Sequence, residues 1–257
     1  DIWDFYENHS ELDDDGAAMD KYIESYVDYV KELFDAAKKE DASAILLTEQ
    51  RVDYGDYARD SWGTFVYLRD MATGAFWSTA YQPTLQAIKG YEAIFTQARA
   101  EIRQRPTGLD VQTEVSVAPE DDVELRRITI TNRSPVVRTI ELTSYAEVVL
   151  ATPASDALHP AFSNLFVQTE FWPSLSALLC TRRARSPEEK PPWLVHLMVG
   201  QGGALSCETD RSRFIGRGGS LAQPAALRNP EPLSNTVGSV LDPIIALRRT
   251  VTLAPRE

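Results

Sequence analysis

At 257 residues, 43% apolar and 25% charged, the chain has enough apolar content for one large β domain or two small ones. A net charge of −12 argues against the basic stripes that phosphate backbones require, so nucleic acid is not an expected partner, and anionic lipid is disfavoured on the same ground. The first sixteen residues are acidic and lack the apolar centre of a signal peptide, and no run approaches the ~20 apolar residues that cross a bilayer; direct membrane insertion is not expected.

In chain order, Met19, Tyr22, Ile23, Tyr26, Val30, Leu33, Phe34 and Ala37 recur at helical spacing, with Asp13, Asp14 and Asp15 ahead of them and Lys38 and Lys39 behind. Acid before and base after match the helix dipole, so an amphipathic helix is expected over Ala17–Lys39. Residues 1–57 read as a helical segment or linker, and residues 58–257 as a β-sandwich domain.

Past Arg59 the period changes to two. Thr64–Arg69, Ala75–Ala80 and Tyr91–Gln97 read as short strands, with a turn at Asp70–Gly74 in which Gly74 supplies a positive φ. Leu109, Val111, Thr113, Val115 and Val117 alternate with polar residues, as in a strand with one dry face. Over Asp122–Thr131 the parity breaks: Val123 and Leu125 lie on one face, Ile128 and Ile130 on the other. The expectation is a bulge at Arg126–Arg127 or a strand buried on both sides. After a turn at Asn132–Pro135, Ile140, Leu142, Ser144, Ala146, Val148 and Leu150 take one side of the return strand. Glu141, Thr143, Tyr145, Glu147 and Val149 take the other, which faces either a ligand groove or a second layer. Further strands are expected at Leu165–Glu170, Leu175–Arg182, Leu194–Val199 and Ala246–Leu253, and Gly200–Gly238 reads as loop wrapped over the sheets. The sum is an antiparallel sandwich. Cys180 and Cys207 are the two cysteines, expected as free thiols in a reducing compartment.

Seven segments, in order, resemble one family: Arg59-Asp-Ser-Trp-Gly-Thr-Phe-Val-Tyr-Leu-Arg-Asp70, Gly74-Ala-Phe-Trp-Ser78, Tyr81-Gln-Pro83, Glu141-Leu-Thr-Ser-Tyr-Ala-Glu147, His159-Pro-Ala-Phe-Ser-Asn-Leu-Phe166, Glu208-Thr-Asp-Arg-Ser-Arg-Phe-Ile-Gly-Arg-Gly218 and Leu241-Asp-Pro243. Together they look like the sandwich region of bacterial cyclic β-1,2-glucan synthases, relatives of the cellobiose and chitobiose phosphorylases in the glycosyltransferase 36 and glycoside hydrolase 94 grouping. The resemblance implies a galactose-mutarotase-like supersandwich and, elsewhere in the parent protein, an (α/α)6 barrel that carries the catalytic acid. Glu257 follows the last expected strand and leaves no room for such a barrel, so this chain is expected to be non-catalytic by itself. The implied partners are a β-glucan oligosaccharide or polysaccharide and the helical barrel, and the implied place is the cytoplasmic face of the inner membrane. The alternatives are a free-standing carbohydrate-binding module and a purely structural docking domain.

Glycoside chemistry needs two carboxylates held ~5–5.5 or ~6.5–9.5 Å apart. With 38 acidic residues, no pair stands out, and no catalytic residue is assigned. Three scattered histidines and two distant cysteines make no zinc site, and no cofactor is called for. Sugar contact has better candidates. Arg211, Arg213 and Arg217, with Gly216 and Gly218 between and beside them, offer planar donors to hydroxyls or anions, or else pin a long loop to the sandwich. Trp62 and Tyr81 lie beside turns, where rings stand exposed to stack on a pyranose, while Phe65, Tyr67, Phe76, Trp77 and Tyr91 read more as core. His159, before Pro160, is a contact candidate or a loop histidine bonded to backbone.

Overall fold

The computed structural model describes residues 44–48, 63–184, 186 and 189–257. The expected helix Ala17–Lys39 lies outside them. The described strands are β1 (Ala44–Thr48), β2 (Phe65–Asp70), β3 (Phe76–Ser78), β4 (Glu92–Phe95), β5 (Ala100–Gln104), β6 (Leu109–Val117) and β7 (Glu124–Asn132). They continue with β8 (Arg138–Glu147), β9 (Val167–Trp172), β10 (Ala177–Arg182), β11 (Trp193–Gly200), β12 (Ser206–Asp210) and β13 (Pro243–Leu253). Short helices α1 (Pro153–Leu158) and α2 (Pro160–Asn164) precede β9, and α3 (Arg211–Ile215) and α4 (Ala225–Arg228) lie between β12 and β13.

The strands form two antiparallel sheets. One has the order β4-β5-β6-β7-β1-β11-β10-β9, and the other β12-β13-β8-β2-β3. Strand β1, from ahead of residue 58, sits inside the larger sheet between β7 and β11. The sheets meet over one apolar core. Val66, Leu68, Ile140, Leu142, Ile245 and Leu247 of the smaller sheet face Leu109, Val111, Ile128, Ile130, Leu178 and Leu194 of the larger. Between them Ser144 Oγ and His196 Nε2 lie 2.8 Å apart, and the Leu247 amide donates to Ser144 Oγ at 2.9 Å. Burial, with Arg126 nearby, lowers the His196 pKa to about 3, so the imidazole is neutral. Cys180 and Cys207 are free and buried in this core. Burial pushes the Cys180 thiol up, and burial with Glu208 pushes Cys207 up to about 11.

The turn after β2 follows its sequence. Asp70 Oδ1 accepts from the amides of Ala72 and Thr73, Gly74 N–H donates to the Asp70 carbonyl at 2.8 Å, and Gly74 has φ +73°. Strand β7 does not. Its pairing with β6 runs without a shift from Leu109↔Asn132 to Val117↔Glu124, so there is no bulge at Arg126–Arg127. Inner-face parity instead passes from Asn132, Ile130 and Ile128 to Arg126 and Glu124, which form a 2.5 Å ion pair. Arg126 also donates to the Thr64 carbonyl, and Leu125 is left on the outer face. An ion pair at the end of β7 occupies the inner positions, so the parity break needs no extra residue.

The smaller sheet is buried on both faces. Phe65, Tyr67, Tyr145, Ile244 and Ala246 form a second cluster with Phe214, Ile215, Leu227 and Leu233 from the β12–β13 connection. The expected wrapping loop is therefore the second layer over the polar side of β8, and it carries α3 and α4.

Candidate functional site

Beneath this layer lies a buried ionic clamp. Arg69 on β2 stands directly opposite Glu141 on β8, and Arg248 on β13 stands opposite Thr143, two residues along β8 on the same face. Glu141 is 2% exposed, with Arg69 Nη2 at 2.8 Å and Arg248 Nε at 3.3 Å. The rest of each guanidinium turns toward the covering layer. Arg69 Nη1 donates to the carbonyls of Leu227 and Asn229, at 3.1 and 2.6 Å. Arg248 donates to the carbonyls of Glu231 and Ala226, both at 2.8 Å. Burial raises the Glu141 pKa against the pull of Arg248 and Arg69, and it lowers Arg248 to about 10 against the pull of Glu141. Two arginines thus satisfy four carbonyls of one loop, which fixes α4 over the sheet.

Helix α3 is fixed from its other side. Asp210 caps it, accepting from Ser212 N and Oγ at 2.8 and 2.7 Å. Phe214 packs against Tyr145 and Tyr67, with ring centroids 5.0 and 6.1 Å away. Gly216 ends the helix with φ +82°, and a Cβ there would lie 2.6 Å from the Ala225 Cβ. That approach brings α3 and α4 together.

So held, Arg211 reaches the end of β8. Its Nε donates to Glu147 Oε1 at 3.2 Å, and its Nη1 lies 3.6 Å from Asp242 Oδ2. Tyr145 Oη donates to the same Glu147 oxygen at 3.1 Å. Asn164 Nδ2, at the end of α2, donates to Asp242 Oδ1 at 3.3 Å. Burial, then Glu147, pushes the Tyr145 phenol up. Burial alone would lower the Arg211 pKa, but Tyr145, Glu147 and Asp242 outweigh it and raise it. The result is a surface array of two carboxylates, a guanidinium and an amide, which offers both donors and acceptors, with the buried Tyr145 phenol bracing Glu147 from beneath. Phe162 (59% exposed), Leu158 and Leu241 add exposed apolar surface on the same segments.

Of the sequence candidates, Arg211 is in this array. His159 is exposed between α1 and α2, so the Asn164–Asp242 bond ties its helix to the array. Arg213 and Arg217 share the α3 loop but extend into solvent, with Arg213 3.8 Å from Asp210. Tyr81 is 49% exposed in the turn after β3, whose strand forms the opposite edge of the smaller sheet from β12, about 19 Å away by strand spacing. Trp62 lies outside the described residues. Phe65, Tyr67 and Trp77 are core. Sequence reasoning picked out Tyr145 and Glu147 as a polar side but missed Asp242, Asn164 and the clamp. The available signal for Arg69 and Glu141 was charge inside otherwise apolar strands. Among the described residues no group of three or more His, Cys, Asp or Glu could hold a metal, and no helix is long and apolar enough to cross a membrane.

Comparison with known proteins matches residues 47–257 to the family described as glycosyl hydrolase 94, supersandwich domain. Residues 3–68 match a second family, of unknown function. The chain is 38% identical over 199 residues to the cyclic beta-(1,2)-glucan synthase NdvB of Rhizobium meliloti, covering 76% of this chain and 7% of that protein. It is 25% identical over 194 residues to the solabiose phosphorylase of Paenibacillus borealis, covering 75% of this chain and 24% of that protein. An N,N'-diacetylchitobiose phosphorylase of Vibrio furnissii is 28% identical over 118 residues, 45% of this chain and 15% of that protein. The chain thus spans a small part of each relative.

Proposed function

The chain belongs to the glycosyl hydrolase 94 supersandwich-domain family, and from that premise we propose that it is the sandwich of a β-glucan-processing enzyme of the cyclic β-1,2-glucan synthase kind. In this reading it braces a helical catalytic barrel and contributes a glucan-contact surface at the Arg211–Glu147–Asp242 array, with catalysis carried elsewhere in the parent polypeptide. The parent would work at the cytoplasmic face of the inner membrane. The observation that carries the proposal is the 38% identity to a cyclic glucan synthase over 199 residues.

The buried carboxylates are structural. Each buried one holds the fold: Asp70 its turn and Arg138, Glu101 Arg103, Glu141 the clamp, and Glu208 the amides of Thr209 and Asp210 with Ser234. The exposed Phe162, Leu158 and Leu241 beside the array fit a surface that another domain covers.

The test is to incubate the purified chain with linear β-1,2-glucan, with and without phosphate. No turnover is expected, and robust turnover overturns the non-catalytic assignment. Calorimetry with β-1,2-glucan oligosaccharides should show saturable binding that weakens in Arg211→Ala; flat titrations of the wild type remove the glucan-contact surface.

A further inference from the structure

We propose that the outer surface of residues 211–230 is an electrostatic docking surface for an acidic polypeptide. The stretch contains Arg211, Arg213, Arg217 and Arg228 and no carboxylate. The whole chain carries −12, so everything outside these twenty residues carries −16. Four positive charges in one short stretch of so acidic a protein form a local reversal of sign, and such reversals steer and orient partners.

The positive charge is presented, and Arg217 and Arg228 carry the uncompensated half of it. Arg211 is committed to Glu147 and Asp242. Arg213 is 60% exposed and 3.8 Å from Asp210, while Arg217 and Arg228 are exposed and meet no carboxylate among the described residues. Gly216 against Ala225 brings the Arg217 turn to α4, which ends at Arg228. The surface is also rigid for a loop. Phe214 and Leu227 anchor it in the second cluster, and the Arg69–Glu141–Arg248 clamp holds its carbonyls from below. That clamp brings two more guanidiniums against one carboxylate, so the charge under the surface is positive too. Arginines on a pre-organised loop lose little freedom when they bind.

The geometry favours a polypeptide of limited extent over other anions. The three exposed arginines are carried by α3, the turn after it and the end of α4, so no single backbone segment cradles one small anion. A duplex or a charged bilayer would bring the −16 remainder of the chain against a like-charged surface within a Debye length, about 10 Å at 0.1 M salt. A peptide or protein patch carrying a few carboxylates meets the arginines and avoids that repulsion.

The experiment uses the full chain and a short fluorescein-labelled oligo-glutamate peptide, followed by anisotropy at low and moderate ionic strength. An acidic protein has no general reason to bind an acidic peptide, so saturable binding that weakens as salt rises is the expected result. The triple variant R213E/R217E/R228E should lose about tenfold or more in affinity. The control triple R103E/R105E/R133E makes the same change in net charge at exposed arginines of the larger sheet and should keep most of the binding. The neutral triple R213Q/R217Q/R228Q repeats the measurement with less strain on folding, and circular dichroism checks each variant. Absence of wild-type binding at low salt, equal loss in both charge-reversed triples, or tighter binding of duplex DNA or phosphatidylglycerol vesicles than of the oligo-glutamate peptide overturns the proposal.

Discussion

Replacing Glu141 with glutamine removes the negative charge between two buried guanidiniums, 2.8 Å from Arg69 and 3.3 Å from Arg248. Breaking a buried ion pair by removing one partner costs about 3–5 kcal/mol, because the remaining charge is left uncompensated. For a domain of ~200 residues, where each kcal/mol moves Tm by about 2–4 °C, the fall is about 10 °C. Removing the whole triad, as Arg69→Met, Glu141→Leu and Arg248→Met together, separates two explanations. If charge compensation were all that mattered, apolar replacement would be near neutral. Here the arginines also serve the carbonyls of Ala226, Leu227, Asn229 and Glu231, and the buried Leu227 carbonyl, left dry, costs about 1–3 kcal/mol. The triple variant should therefore stay destabilised, and hydrogen exchange should quicken at residues 211–231 more than in β6 or β7. Thermal unfolding by circular dichroism and exchange by mass spectrometry read both effects. A triple variant with wild-type Tm and unchanged exchange in the loop would refute the clamp.

His196 gives a pH dependence. Its folded pKa, about 3, lies below the ordinary 6.5, so its contribution to stability is present above 6.5 and is lost as pH falls toward 3. Urea unfolding in pH steps should show a loss of about 5 kcal/mol over that window, and His196→Gln should flatten it; an unchanged slope in the variant counts against the assignment. Gly216→Ala places a Cβ at φ +82° and 2.6 Å from Ala225, and should cost about 1–3 kcal/mol by urea denaturation, with Ala225→Gly restoring only part. Asn132 is fully buried, donates to the carbonyls of Val136 and Ala254 and accepts from Ser134; Asn132→Ala should lower stability by about 2–4 kcal/mol, and Asn132→Asp, which loses the donors, should not rescue it.

The sandwich was legible where alternation or unbroken apolar runs announce strands, as in β6, β8 and β10. It was illegible where pairing replaces hydrophobicity. Strand β5 has one large apolar residue, Ile102; its outer Glu101 pairs with Arg103 and its inner Gln104 donates to the Ser78 carbonyl, so no periodicity survives. Strand β7 misled for the same reason, since Arg126 and Glu124 occupy inner positions as a pair. The guanidinium loop was visible as composition, but what it touches was not. Arg69, Glu141 and Arg248 come from three strands far apart in sequence, and only register across β2, β8 and β13 places them together. Arg211 was a candidate by residue type, whereas its partner Asp242 sits in a turn with no pattern of its own.

Strand β1 has a consequence for how this chain is made. It precedes the other described strands, yet its neighbours in the sheet are β7 and β11. At a synthesis rate of about 5–20 residues per second, roughly ten seconds or more separate its emergence from that of β11. During that interval β4 to β7 can close as successive hairpins, while β1 waits with one edge unpaired. The larger sheet is thus stitched late, by its earliest strand, and a nascent chain needs that strand kept from foreign edges until β11 arrives.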